Sequence, residues 1–194
     1  MEPIILASMS PRRFELMSKL GLDFQVIPSD ITEVIPKSSD SPGELVTKLA
    51  LHKASDVAGK LEKALVIGAD TLVVLEEMIF GKPSGPDEAV NMLKALSGKT
   101  HSVYTGIAII QVSTGQTETG YCETKVKFKP VSTAEIQSYV ATGEPLDKAG
   151  AYGIQGKGGA LVAGIEGCYF NIVGLPLSQL ADMLQKFQVS IWRQ

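Results

Sequence analysis

Two arginines stand where a helix start disfavours them. Arg12 and Arg13 follow Ser8-Met9-Ser10-Pro11, and behind them Phe14, Leu16, Met17 and Leu20 recur at helical spacing. The pair therefore falls in the first turn of a helix that Ser10 can cap, Pro11 can open and Gly21 can end. A helix N-terminus already carries partial positive charge, and Asp or Glu is its usual occupant. Two guanidinium forks beside first-turn backbone N–H groups and the hydroxyls of Ser8 and Ser10 instead suit a polyphosphate. The ordinary alternative is two solvated arginines on an amphipathic helix.

Asp70 is the second group with chemistry. It lies in the stretch Gly68-Ala69-Asp70-Thr71 that ends the apolar run Ala64 to Ile67, and strand ends of open α/β sheets are where ligands bind. With Glu33, from the polar loop Asp30-Ile31-Thr32-Glu33, it would hold one Mg²⁺ or Mn²⁺ through oxygen while substrate phosphates complete the shell. By residue type alone Glu33 reads more readily as a surface loop acid. Lys53, and Lys82 in Gly81-Lys82-Pro83, are candidate phosphate contacts, although single lysines are mostly solvated. The segment Asp147 to Gly156 joins small residues, which let a ligand approach the backbone, with one amide, Gln155, and one ring, Tyr152, suited to reading a base. The alternative is an irregular surface loop that uses its glycines for turns. No GxxxxGK[ST] occurs, and Gly156-Lys157-Gly158-Gly159-Ala160-Leu161 fails GxGxxG at its last position. His52 and His101 form no HExxH or Ser/His/Asp pattern, so acyl transfer fits poorly. Metal-assisted attack of water on phosphorus is the coherent chemistry.

The elements that must position these groups alternate between strand and helix. Short strands are expected at Pro3 to Ala7, Phe24 to Pro28 and Ala64 to Ile67. A hairpin is expected through Val73-Val74-Leu75 and Met78-Ile79-Phe80, long strands at His101 to Val112 and Thr117 to Phe128, and short strands near Ala160 to Val162 and Tyr169 to Val173. Helices are expected after Ser10, from the capping box Ser41 to Glu44 as far as Gly59, over Asp87 to Leu96, after the capping box Ser132 to Glu135, and over Pro176 to Phe187. This order implies an α/β fold around a mixed twisted sheet. With 194 residues, 44% of them hydrophobic and 20% charged, the chain fits one domain, 1–194, or two intimate lobes. The net charge of −3 argues against a nucleic-acid or membrane surface, so bound phosphate must meet a local basic cluster. No apolar run approaches the roughly 20 residues that span a bilayer, and Met1 to Leu6 is too short for a signal peptide's apolar region. A soluble, cytoplasmic protein with Cys122 and Cys168 reduced is expected.

Ser8 to Arg13, Gly68 to Thr71, Gly81 to Pro83 and Asp147 to Gly156 resemble, in order and spacing, the signature blocks of the Maf family of nucleotide pyrophosphatases. The similarity runs from about Pro3 to about Phe187. It implies a Maf/ITPase-like structure of two lobes with a cleft between them, a divalent cation, and hydrolysis of a nucleoside triphosphate to monophosphate and pyrophosphate. It implies that Asp70 activates water, and that Ser8, Arg13, Glu33, Lys53, Lys82 and Gln155 surround phosphate, metal or base. Glu33 is the loosest match, because Thr32 stands where many members carry another acid. Arg12, Thr71 and Gln155 resemble the branch acting on dTTP and UTP, whereas a sister branch acting on 7-methyl-GTP tends to have Trp, Gln and Glu there. A module restraining cell division is the alternative from another class, and a homodimer is implied by the resemblance alone.

Overall fold

The computed structural model describes residues 2–31 and 40–192. They form seven strands and six α-helices, with three short 3₁₀ segments. The strands are β1 (Ile4–Leu6), β2 (Phe24–Val26), β3 (Leu65–Leu75), β4 (Met78–Phe80), β5 (Thr100–Gln111), β6 (Thr117–Phe128) and β7 (Val162–Glu166). The helices are α1 (Pro11–Ser18), α2 (Pro42–Ala58), α3 (Pro86–Leu96), α4 (Thr133–Val140), α5 (Tyr169–Val173) and α6 (Leu177–Gln185). One mixed sheet has the order β2-β1-β3-β5-β6-β7, with β4 paired to β3. Among the described residues no helix is long and apolar enough to cross a membrane. The chain divides into two compact units, one of Met1–Asp70, Thr105–Cys122 and Gly174–Gln194, the other of Thr71–Tyr104 and Glu123–Val173.

In the first unit β1 lies parallel to both β2 and β3, with Leu6 opposite Ile67. Helix α2 starts at the expected capping box, Ser41 accepting from the Glu44 N–H while Glu44 accepts from the Ser41 N–H. Its apolar face buries Ala50, Ala54 and Val57 against Ile5, Val66 and Ala108. Two glycines let it lie close. A Cβ on Gly68 of β3 would stand 2.8 Å from the Ala54 nitrogen, and one on Gly106 of β5 would stand 2.6 Å from the Val46 carbonyl carbon. Contacts that short leave no room for a side chain, so these two positions set how near α2 comes to the sheet.

In the second unit β3 turns back through Glu76 and Glu77 into β4, and β6 pairs antiparallel with β7. Helix α3 packs on α4, whose capping box at Ser132 and Glu135 forms as expected. The core gathers Leu93, Leu96, Val126, Phe128, Ile136 and Tyr152.

Three expectations are corrected here. Strand β3 does not stop at Ile67 but runs through Asp70 to Leu75, its residues buried except for Thr71. The strand expected near Ala160 to Val162 is a 3₁₀ segment, Lys157–Leu161, with β7 beginning only at Val162. The run Tyr169–Val173 is helical. Its aromatic and β-branched composition favours a strand, but a buried polar residue decides otherwise. The fully buried Asn171 donates its amide to the Val103 carbonyl and the Thr124 hydroxyl, both at 2.9 Å, and a helical turn carries it there while Tyr169 and Phe170 stay exposed.

Candidate active site

Asp70 lies within the first unit, on the stretch of β3 that continues past the point where β1 ends. The β1–β3 pairing is extended by one bond, the Ala7 N–H donating to the Ile67 carbonyl at 2.8 Å, next to Gly68. Asp70 therefore stands in the interior of β3 rather than at a strand end, three residues beyond the last pair with β1, Leu6 with Ile67. Gly68 and Asp70 share the face of β3 turned to α2, since side chains on a strand alternate. The close seating of α2 then delivers Lys53, whose Nζ lies 3.1 Å from Asp70 Oδ2. Lys53 is 7% exposed and Asp70 9%, so this is a buried ion pair. Desolvating two such charges costs several kcal/mol, about what their attraction returns. A pair of this kind is weak as a stabilising device, and it keeps a carboxylate and an ammonium fixed at one place.

The loop from β1 to α1 holds the second half of the site. Ser10 caps α1 by accepting from the Arg13 N–H, and its own N–H donates to Ser8 Oγ at 3.2 Å. Arg13 is buried, not solvated. Its Nε donates to the Gly174 carbonyl at 2.8 Å and its Nη1 to Ser8 Oγ at 3.2 Å. The positive charge is thus kept at the N-terminal end of a helix, and Ser8 serves first as the anchor of Arg13. Arg12 is half-buried. Ser8, Arg13, Lys53 and Asp70, which are scattered in sequence, all belong to the first unit and are all buried there.

Lys82, Thr71 and Gln155 belong to the second unit. Lys82 is exposed beside buried Pro83, and the carbonyl of its neighbour Gly81 accepts from the Gly150 N–H at 3.1 Å. That bond ties the Gly81-Lys82-Pro83 segment to the loop bearing Gln155. Gln155 is exposed at a turn closed by the Gly156 N–H on the Gly153 carbonyl, 3.2 Å. Thr71, next to Asp70 on β3, projects to the opposite face of that strand. Glu33 lies outside the described residues. Among the described residues no group of three His, Cys, Asp or Glu is gathered as a metal cluster.

Tyr152 does not read a base. It is 5% exposed, its hydroxyl is 2.9 Å from His101 Nε2, and its ring meets Phe128 edge-on at 4.8 Å between centroids. Burial pushes the His101 imidazole down to about 4 and the Tyr152 phenol well above its ordinary value. Both are neutral core groups that pin the loop from below. Residue type alone had left unremarked two further residues of this loop's support, Tyr139 and Glu144. The one signal for them is an acid heading a glycine-rich run.

Comparison with known proteins adds an independent line. A family model described as Maf-like protein matches residues 3–187. The dTTP/UTP pyrophosphatase of Moorella thermoacetica is 53% identical over 192 residues, 99% of this chain and 98% of the relative. That of Bacillus cereus strain G9842 is 49% identical over 191 residues, 98% of each. Among solved structures, the Staphylococcus aureus Ham1 protein has a TM-score of 0.44 at 18% identity, covering 65% of this chain and 71% of that one.

Proposed function

Because this chain belongs to the Maf family, we propose that it is a nucleoside triphosphate pyrophosphatase that hydrolyses dTTP and UTP to the monophosphate and pyrophosphate. The names of relatives sharing about half its residues support the reaction class and these two substrates. The observation that carries the chemistry is the buried Lys53–Asp70 pair between α2 and β3, in the unit that also buries Arg13 against Ser8.

In this reading Asp70 accepts a proton from water as the water oxygen bonds to the α-phosphorus. The α–β anhydride P–O bond breaks, and pyrophosphate leaves with the electron pair. Lys53 fixes the carboxylate's orientation and faces the phosphates, while Arg13, braced by Ser8 and the Gly174 carbonyl, supplies a guanidinium fork to them. Lys82 adds a further positive contact. A hard divalent cation such as Mg²⁺ or Mn²⁺ takes one or two carboxylates and draws its other ligands from phosphate and water, a donor set that a single buried aspartate fits. Asp70, with Glu33, would hold it. When bound it supplies charge that neutralises the polyphosphate.

Base choice falls to Gln155, with Arg12 and Thr71. A carboxamide offers one donor and one acceptor, matching the O4 acceptor and N3–H donor of uracil and thymine, whereas a carboxylate would repel O4. The test is pyrophosphate release by purified protein with added Mg²⁺ or Mn²⁺ across a nucleotide panel. Turnover of UTP and dTTP above purine triphosphates supports the assignment, and no release from any nucleotide refutes it.

A further inference from the structure

The turn that presents Gln155 is held at both feet by one phenol and one carboxylate, and we propose that Tyr139 and Glu144 are positioning residues for base recognition. The inference rests on the reading of Gln155 as the amide that meets the base. Within the Gly153–Gly156 turn, Ile154 packs inward against the second unit's core and Gln155 stands exposed. The Gly153 N–H, two residues before Gln155, donates to the Tyr139 hydroxyl at 3.1 Å. The Lys157 N–H, two residues after it, donates to Glu144 Oε2 at 2.9 Å, and the Gly158 N–H donates to Glu144 Oε1 at 3.0 Å.

The two halves are joined, because the Tyr139 O–H donates to Glu144 Oε1 at 2.9 Å. Burial pushes the Glu144 carboxyl up, but the N–H groups of Gly158 and Lys157 and the Tyr139 hydroxyl outweigh it and hold the group below the usual carboxylate range. Lys148 closes the outer side, its Nζ on the Glu144 carbonyl and on Asp147 Oδ1, both at 2.6 Å. The glycines belong to this clamp. A Cβ on Gly156 would stand 2.5 Å from Glu144 Oε1, and one on Gly158 would collide with the Tyr139 oxygen. The clamp grips only backbone on either side of Gln155 and leaves the carboxamide itself to face outward. Recognition by a single amide depends on placement to about 1 Å, which an unbraced glycine-rich turn does not provide.

The test is steady-state kinetics of the full chain with UTP and Mg²⁺ for Tyr139→Phe, Glu144→Gln and Gln155→Ala, and for the first of these combined with the third. Tyr139→Phe keeps the ring and removes only the bridging hydroxyl, and is expected to raise the UTP KM about three- to tenfold, with kcat within about twofold. Glu144→Gln turns one acceptor oxygen into a donor facing backbone N–H groups and is expected to raise KM by about tenfold or more. In the Gln155→Ala background Tyr139→Phe should add less than about twofold, because the group it positions is gone. The same fold-change in both backgrounds, an unchanged KM, or a fall in kcat alone overturns the clamp while leaving the base reading standing. If Gln155→Ala leaves kcat/KM for UTP unchanged, the base reading fails and the clamp's role fails with it. Thermal midpoints of each variant separate these results from unfolding.

Discussion

Asp70→Asn separates what the carboxylate does for the reaction from what it does for the fold. The substitution keeps the shape, removes the charge, and leaves Lys53, itself 7% exposed, without the carboxylate 3.1 Å from its Nζ. Breaking one side of a buried pair costs about 3–5 kcal/mol, and the asparagine carbonyl, which still accepts from Lys53, places this case at the lower end, about 3 kcal/mol. For a chain of this size each kcal/mol moves Tm by about 2–4 °C, so a fall of about 6–12 °C is expected by calorimetry. Adding Lys53→Met removes the second buried charge as well and should recover part of the lost Tm, while the buried asparagine amide keeps some of the cost. Pyrophosphate release behaves differently. Asp70→Asn should lower kcat about 10²–10⁴-fold, and the double variant should stay as inactive while regaining part of its stability. Activity within a few-fold of the unsubstituted chain refutes the role of Asp70 in activating water. A loss of Tm that Lys53→Met does not reverse even in part refutes the reasoning about the pair.

Three further expectations probe the remaining parts. Arg13→Ala should raise the UTP KM about 10- to 100-fold, because charge-assisted contacts to phosphate are worth roughly 1.5–3 kcal/mol, whereas Lys186→Ala, which removes only an exposed pair with Glu118 at 2.8 Å, should change it less than about twofold. Equal small effects would return Arg13 to a purely structural role. Gln155→Glu, combined with Arg12→Trp and Thr71→Gln, should lower UTP turnover and raise relative activity on guanine nucleotides, a ranking read from one nucleotide panel before and after substitution. His101 titrates near 6.5 when unfolded and near 4 when buried, so the unfolded chain binds the extra proton between those values. Stability is therefore complete above pH 6.5 and falls as pH drops toward 4, by about 2 kcal/mol between pH 7 and pH 5. His101→Gln should flatten that acid limb in urea unfolding, and an unchanged limb would show that His101 is not its source.

Much of the fold was legible because its signals are local. Capping boxes at Ser41 and Ser132 and the Ser10-Pro11 start fixed three helix beginnings, and each forms. Local signals failed where a long-range bond decides. Tyr169–Val173 reads as strand until Asn171 finds Val103 and Thr124, residues far along the chain. Gly68 looks like a strand terminator, yet it is there so that α2 can come close, and β3 continues past it. At the site, the misfit of Arg13 with a helix start marked a residue that the fold buries, because buried charge at that end conflicts with local preference. The Lys53–Asp70 pairing carries no such mark, since it exists only once α2 lies on β3. The burial of Tyr152 carries no local mark for the same reason, as its partners His101 and Phe128 come from β5 and β6.

Pyrimidine triphosphate hydrolysis between the α- and β-phosphates is read most directly from the product pair formed from UTP, dTTP and 7-methyl-GTP under one divalent metal. Monophosphate and pyrophosphate are expected in equal amounts, with kcat/KM for UTP and dTTP above that for 7-methyl-GTP. Release of inorganic phosphate and a diphosphate, or faster turnover of 7-methyl-GTP, would contradict this.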